Sequence, residues 1–267
     1  MSTATQARSA LSWEDSLQLP ATPATLEMLF AGQIAGLCVP DFLTAEECAN
    51  LKQRAGQYEF ENYLNVVPRI EKVGITVFEF DQIGKKEYFA AVKSANQRIA
   101  RLTDGICCPL QRVVDWLAAL SPNRRVGVAH EPELGPYFAG LFRRIEKGTL
   151  IHVDFAPTEQ PGWAVAQVCS QLTFNIYLDV SPIDPGLVHV WQRQVRADDE
   201  SFKIPESYGY NPEVVKDVPF ATITPQRGML MVINTRNFHQ VCTAGGSRLA
   251  VSSAVGQLPD KSLVLWS

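Results

Sequence analysis

The sequence predicts an α+β protein, helical through about residue 125 and β-rich from there onward, and three observations predict it. In the first half, apolar residues recur at helical spacing. From Val126 the segments shorten, β-branched and aromatic residues rise, and Pro, Gly and Asp punctuate the runs. No helical run interrupts the second half, and seven or eight successive strand-like runs argue for a double-sheet jelly roll. With 267 residues, 46% hydrophobic and 19% charged, the chain can bury a full core. We read 1–267 as one domain, with 1–125 as helical support and 126–267 as the jelly-roll core.

Taken in order, the opening "MSTATQARSALSWEDSLQLPATPAT" is polar, and no apolar stretch approaches the roughly 18 residues that cross a bilayer. The expectation is a cytoplasmic chain without a membrane partner. "CVPDFLTAEECANLKQRAG" reads as strand, turn and helix: Thr44 and Glu47 form a capping box, Cys48, Leu51 and Ala55 share a face, and Gly56 closes the helix. A second helix is predicted over Lys85–Thr103 from Tyr88, Val92, Ala95, Ile99 and Leu102. Pro109 suits the first position of a third, striped by Leu110, Val113, Leu117 and Leu120. The strand-like runs are "YFAGLFRRI", "GTLIHVD", "SQLTFNIYLDV", "GLVHVWQ", "FATIT", "GMLMVINT" and "RLAVSSAVG". The long interruption at 194–218, with Phe202, Tyr208 and Tyr210 among acids, exceeds a plain connection and reads either as a lid that closes over the site or as a solvated surface excursion.

Net charge is −4 with no Lys/Arg-rich block, which removes the electrostatic basis of nucleic-acid binding. Six cysteines without a C-x-x-C pair indicate reduced thiols rather than a disulfide scaffold. No phosphate-binding loop, dinucleotide fingerprint or nucleophile elbow is present.

The chemistry concentrates in "LIHVDFAP", where His152 and Asp154 stand one residue apart at the end of an apolar run. Only four histidines exist, and His239, in "NFHQV" just beyond a strongly apolar strand, supplies the third donor. Two imidazoles and one carboxylate make a facial triad that leaves adjacent positions open, an arrangement suited to Fe(II), a bidentate co-substrate and O2. Arg248, nine residues after His239, offers a planar fork for a carboxylate, read as the far end of 2-oxoglutarate. His189 reads as a sheet histidine and His130 as a loop residue.

At these residues the chain resembles the Fe(II)/2-oxoglutarate oxygenase superfamily. "HVD", "FHQV" and Arg248 look like its iron and co-substrate motifs, and "VPDFLTAEECANL" resembles the entry segment of the prolyl-hydroxylase-like branch. "RRIEKGTLIHVD" and "QLTFNIYLDV" with "PGLVHVW" are similar to the alkaloid and amino-acid halogenases of natural-product pathways and to their hydroxylase relatives. The resemblance implies a double-stranded β-helix (jelly-roll, cupin-like) core and hydroxylation, desaturation or cyclisation of an unactivated C–H bond in a small amino-acid-type metabolite. In those halogenases a small residue replaces the acid so that chloride can bind iron; Asp154 fills that place here. The resemblance also gives Tyr177 a share of the distal carboxylate, and Asn175 a co-substrate or substrate contact.

Strand alternation puts Thr173, Asn175 and Tyr177 on one face, and Arg143 and Ile145 on another common face. Ile145 and Ala250 stand where relatives carry tyrosine and serine, with Ser252 on the face of Ala250. Arg143 reads either as a substrate-carboxylate ligand or as a sheet-edge surface residue. Tyr63, Phe142 and Trp191 are candidates for a substrate pocket or for core. Two other functions stay open at this point: a protein or peptide hydroxylase, and a non-catalytic cupin-like module holding structural zinc.

Overall fold

The computed structural model describes residues 11–64, 66–81 and 83–267, so the first ten residues of the polar N-terminal stretch lie outside the described part. The Ala45–Ala55 helix starts as expected: Thr44 Oγ1 accepts from Glu47 N at 3.1 Å, and Glu47 Oε2 accepts from Thr44 N at 2.8 Å. Both orphan donors at the helix start are thereby satisfied. Gly56 ends the helix in right-handed rather than left-handed geometry. Lys85–Thr103 and Pro109–Leu120 follow the predicted bounds, burying Tyr88, Val92, Ala95 and Leu102 on one and Val113 and Leu117 on the other. An unforeseen helix, Pro23–Phe30, is capped by Thr22 and begins with Pro23.

Most of the β structure lies in one sheet whose strand order runs Leu37–Val39, Leu230–Asn234, Ser170–Val180, Arg248–Gln257, Leu141–Arg144, Glu71–Val73 and Glu61–Asn62. Each of these neighbours is antiparallel to the next. A second sheet orders Phe220–Ile223, Val188–Gln194 and Asn237–Val241, also antiparallel. Alternation explains how the large sheet packs on both sides. Phe174, Ile176, Leu178, Val232 and Val251 face the helices and join Leu51, Val113 and Leu117 in one buried cluster. Their sequence neighbours Tyr177, Met231, Ile233 and Ala250 face the small sheet and pack with Val188, Val190, Ala221 and Val241.

Several expectations change: the short Ala156–Glu159 helix interrupts the β-rich half, and the first 125 residues are not purely helical support, since Leu37–Val39, Glu61–Asn62 and Glu71–Val73 join the large sheet. "GTLIHVD" forms no continuous strand: His152 makes an isolated antiparallel bridge to His239, while Thr149 N and Asp154 N bond to Val241 O and Thr235 O. Gly148 begins this irregular run at φ +74, where a Cβ would lie 2.6 Å from Val241 O. "YFAGLFRRI" shortens to Leu141–Arg144 because Gly140 adopts φ +89. His130 sits in a two-residue strand, His130–Glu131, rather than in a loop. All six cysteines are free. Among the described residues, no helix is long and apolar enough to cross a membrane.

Candidate metal centre and its pocket

His152 and Asp154 are two residues apart, so extended backbone turns both side chains the same way. The bridge to His239 brings the third side chain opposite: His152 N donates to His239 O at 3.0 Å and His239 N to His152 O at 2.9 Å. One ligand atom from each of His152, Asp154 and His239 falls within 4.8 Å of the others. Asp154 Oδ2 lies 3.6 Å from His239 Nε2, and Asp154 Oδ1 lies 4.0 Å from His152 Nε2.

Both rings are set by the backbone. Nδ1 of His152 lies 2.8 Å from Leu150 O, and Nδ1 of His239 lies 3.0 Å from Asn237 O. A carbonyl oxygen only accepts, so each Nδ1 carries the proton and each Nε2 keeps a free lone pair, the tautomer a metal needs. Burial, reinforced by the neighbouring His239 ring, pushes His152 down to about 4, which keeps its imidazole neutral. Asp154 is held well below the usual carboxylate range against the cost of burial, by its electrostatic interaction with the His152 and His239 rings and with Arg143. Its backbone is clamped from both sides, with Thr235 Oγ1 donating to Asp154 O at 2.9 Å. The donor set and its tautomers fit a divalent metal such as Fe(II).

Arg248 is only 2% exposed. Its Nη2 donates to the Tyr177 hydroxyl at 3.2 Å, and the guanidinium stacks 5.1 Å from the Tyr177 ring centroid. Its Nε is buried with no hydrogen-bond partner, and among the described residues no carboxylate pairs with it. A buried guanidinium in that condition is costly unless an anion arrives, so the pair fits the distal carboxylate of 2-oxoglutarate. Asn175, 4% exposed, instead holds Arg143: its Oδ1 accepts from Arg143 Nη2 at 3.1 Å.

A cleft of about 190 Å³ opens beside His152 and Asp154, and Arg143, Tyr63, Thr173 and Ser252 line it. Arg143 is half-buried and faces this cleft rather than the outer surface. Phe142 does not line it. As the neighbour of Arg143 it points to the opposite face, opposite Val251, and packs on the helical side. Trp191 is likewise outside the cleft, because Val190 takes the inward face of its strand and Trp191 stacks against Phe220 at 5.7 Å. His189 shares that outward face, 4.9 Å from the Phe220 ring, away from the triad.

Several cleft residues escaped the sequence reading. Tyr208 lies in the 194–218 segment; its hydroxyl accepts from Leu150 N at 2.9 Å and its ring stands edge-on to His152 at 5.4 Å. Glu159, at the end of the short Ala156–Glu159 helix, opens to the cleft; burial and the nearby Asp154 push its carboxyl up to about 8. The signal for Glu159 was its place in "HVDFAPTE", one short helix beyond the metal ligands. The 194–218 segment itself is not a free strap: Tyr210, Val214 and Val215 are buried against Ile151, Val153 and Phe238. Arg193 and Asp199 form a buried ion pair at its base.

A relative in Purpureocillium lilacinum, described as leucinostatins biosynthesis cluster protein S, is 33% identical over 214 residues, 76% of this chain and 87% of that protein. A second, the L-gamma-glutamyl-L-propargylglycine hydroxylase of Streptantibioticus cattleyicolor, is 33% identical over 165 residues, 60% of this chain and 59% of that one. Among solved structures, an N-substituted L-amino acid dioxygenase from Burkholderia ambifaria superposes with a TM-score of 0.61 at 12% identity, covering 92% of this chain and 91% of the other, which speaks to shared fold. The model for the family described as carrier-protein-independent halogenase WelO5 matches residues 15–256, nearly the whole described chain, and this protein therefore belongs to that family of non-haem iron oxygenases.

Proposed function

We propose that this protein is an Fe(II)/2-oxoglutarate-dependent hydroxylase of a small amino acid or amino-acid-derived intermediate of natural-product biosynthesis, working as one domain on a double-stranded β-helix core. The observation that carries this reading is the triad of His152, Asp154 and His239, with both Nε2 atoms free and their donor atoms within 4.8 Å. Asp154 matters most for the type of reaction. A carboxylate there occupies the position that a halide would need, which favours hydroxylation over halogenation within this family. The names of two relatives, a propargylglycine-peptide hydroxylase and a leucinostatin cluster protein, support an amino-acid-type substrate.

Iron with 2-oxoglutarate and O2 would supply the oxidising power for C–H hydroxylation, with succinate and CO2 as co-products. His152, Asp154 and His239 would hold the metal, and Arg248 with the Tyr177 hydroxyl would hold the distal carboxylate of the co-substrate. Leu150 O and Asn237 O keep the rings oriented. Structural zinc is less favoured because such sites are closed by four ligands, and three converge here among the described residues. Anaerobic titration tests the proposal. Fe(II) and 2-oxoglutarate together should give a weak visible charge-transfer band that neither gives alone, and His239→Ala should abolish it. Absence of the band from the unaltered protein would overturn the reading.

A further inference from the structure

Arg248 Nη2 donates to the Tyr177 hydroxyl at 3.2 Å, so the phenol oxygen accepts there and its own proton must be donated elsewhere. It goes to sulfur: the Tyr177 O–H donates to Met231 Sδ at 3.3 Å. Strand register explains the meeting. Met231, in the Leu230–Asn234 strand, lies opposite Asn175, and Tyr177 stands two residues beyond Asn175, so Tyr177 and Met231 are diagonal neighbours on the inner face. Both are shut off from solvent, Tyr177 at 0% and Met231 at 2% exposure, so bulk water does not compete as acceptor. Cys38, the register partner of Met231 on its other side, offers no anionic competitor, because burial pushes its thiol up to about 11. Among the described residues, Met231 Sδ is the one acceptor that the phenolic proton finds.

A thioether is a weak hydrogen-bond acceptor and a carboxylate a strong one. Sulfur therefore keeps the hydroxyl satisfied in the ligand-free protein without holding it tightly. When a carboxylate reaches Arg248, rotation about the phenolic C–O bond redirects the donor to the ligand. We propose that Met231 is a positioning residue for the co-substrate: its sulfur holds the Tyr177 hydroxyl in the ligand-free protein and releases that hydrogen bond to the distal carboxylate of 2-oxoglutarate. Met231 has this role only if Tyr177 anchors the co-substrate as proposed, and it acts through the phenol alone. An aliphatic side chain at 231 would leave a buried donor unmatched in the ligand-free state but not in the bound one. Removing this acceptor should therefore tighten co-substrate binding, the opposite of what removing an anchor does.

The test is anaerobic calorimetry of 2-oxoglutarate binding to the Fe(II)-loaded protein and to Met231→Leu, a volume-conserving swap of the kind buried sites tolerate best. Met231→Leu should bind 2-oxoglutarate about three- to tenfold more tightly. Its melting temperature should fall more in the ligand-free protein than in the 2-oxoglutarate-saturated one. Both effects should vanish in a Tyr177→Phe background, which has no hydroxyl to redirect, whereas a packing role would survive there. Met231→Ile, β-branched and suited to a strand, repeats the measurement should leucine pack badly. Tightening of less than about threefold, weaker binding, or tightening that persists in Tyr177→Phe would each overturn the role of Met231. Failure of the anchor reads differently. Tyr177→Phe alone should weaken 2-oxoglutarate about tenfold, and an affinity within about twofold of the unaltered protein would overturn Tyr177 and Met231 together. The charge-transfer band of the unaltered protein tests the wider functional reading and is independent of both residues.

Discussion

Replacing Arg248 by methionine should make the protein more stable and less able to use 2-oxoglutarate, and the two effects have one cause. Arg248 is 2% exposed, its Nε has no partner, and burial lowers its pKa from the ordinary value, the mark of a cation the fold would rather not hold. Its charged hydrogen bond to Tyr177 returns about 1.5–3 kcal/mol and its desolvated stacking on that ring about 2 kcal/mol, but the Nε and the remaining donors stay unmatched. The penalty for a buried ion is several kcal/mol, and apolar replacements of buried ions commonly gain about 1–4 kcal/mol. Desolvation therefore wins in the ligand-free state. A net gain of about 1–2 kcal/mol would raise Tm by roughly 2–8 °C for a chain of this size. With Fe(II) present, the sign reverses. Losing one partner of a desolvated charge pair costs about 2–5 kcal/mol, so the 2-oxoglutarate requirement should rise roughly thirtyfold to several-thousandfold. Thermal unfolding with and without 2-oxoglutarate, under anaerobic Fe(II), reads both effects. The unaltered protein should gain about 2.7 kcal/mol at a hundredfold excess over Kd, and the variant almost nothing. A 2-oxoglutarate requirement within twofold of the unaltered protein would place the anchor elsewhere. A fall in ligand-free Tm would show that Arg248 is better satisfied than its contacts indicate.

Metal-free protein should lose stability as pH falls from about 6.5 to about 4, because the unfolded chain accepts a proton on His152 in that window and the folded chain does not. With a side chain only 13% exposed, His152 contributes about 3 kcal/mol to this slope; melting curves of the unaltered protein and His152→Ala across that range check it, the variant having the shallower dependence. Thr44→Ala should cost about 1 kcal/mol through loss of the cap, a fall in Tm of roughly 2–4 °C, with 2-oxoglutarate turnover unchanged.

Much of this molecule was legible in the sequence because local rules and tertiary packing agree. Thr44 and Glu47 cap a helix within one turn, so nothing distant can move its start. The triad was legible for a similar reason: His152 and Asp154 need only extended backbone to face one way, and few histidines competed for the third place. Alternation also placed Tyr177 and Asn175 on the inner face correctly. It misled only where the origin of the count was unknown. Once Arg143 is seen to face inward, Phe142 must face the helices, and the same argument sends Trp191 outward beside His189. The continuous "GTLIHVD" strand failed because the positive φ of Gly148 starts an irregular edge, which hydrophobic periodicity does not register. Glu159 was overlooked although it lies one short helix beyond Asp154, whereas the contacts of Tyr208 with Leu150 and His152 depend on a long segment folding back, and no local spacing encodes that return.

The return of the 194–218 segment leads to a prediction about Tyr208. Replacing residues 198–214 by a flexible linker would strip Tyr210 and Val214 from the cluster that includes Ile151 and Val153, and the run that carries His152 would lose its support along with any cover over substrate. Such a deletion cannot separate a lid from a buttress. Tyr208→Phe can, because it keeps the ring edge-on to His152 and removes only the oxygen that accepts from Leu150 N. Leu150 also supplies the carbonyl that fixes His152 Nδ1, so its N–H and C=O tie Tyr208 to the metal ligand through one residue. A donor left without a partner costs about 1–3 kcal/mol, and relief by a tilt of that segment would turn the imidazole away from its ligand direction. Outer contacts to ligating histidines typically govern about 10–100-fold in metal affinity, and at one residue's remove the expected loss is about tenfold. Iron affinity from competition with a colorimetric chelator, measured without substrate, gives the answer. A tenfold weakening makes Tyr208 a buttress of the metal centre. Unchanged iron affinity, with succinate released in excess of hydroxylated product, would assign it to covering the substrate instead and refute the chain of contacts through Leu150.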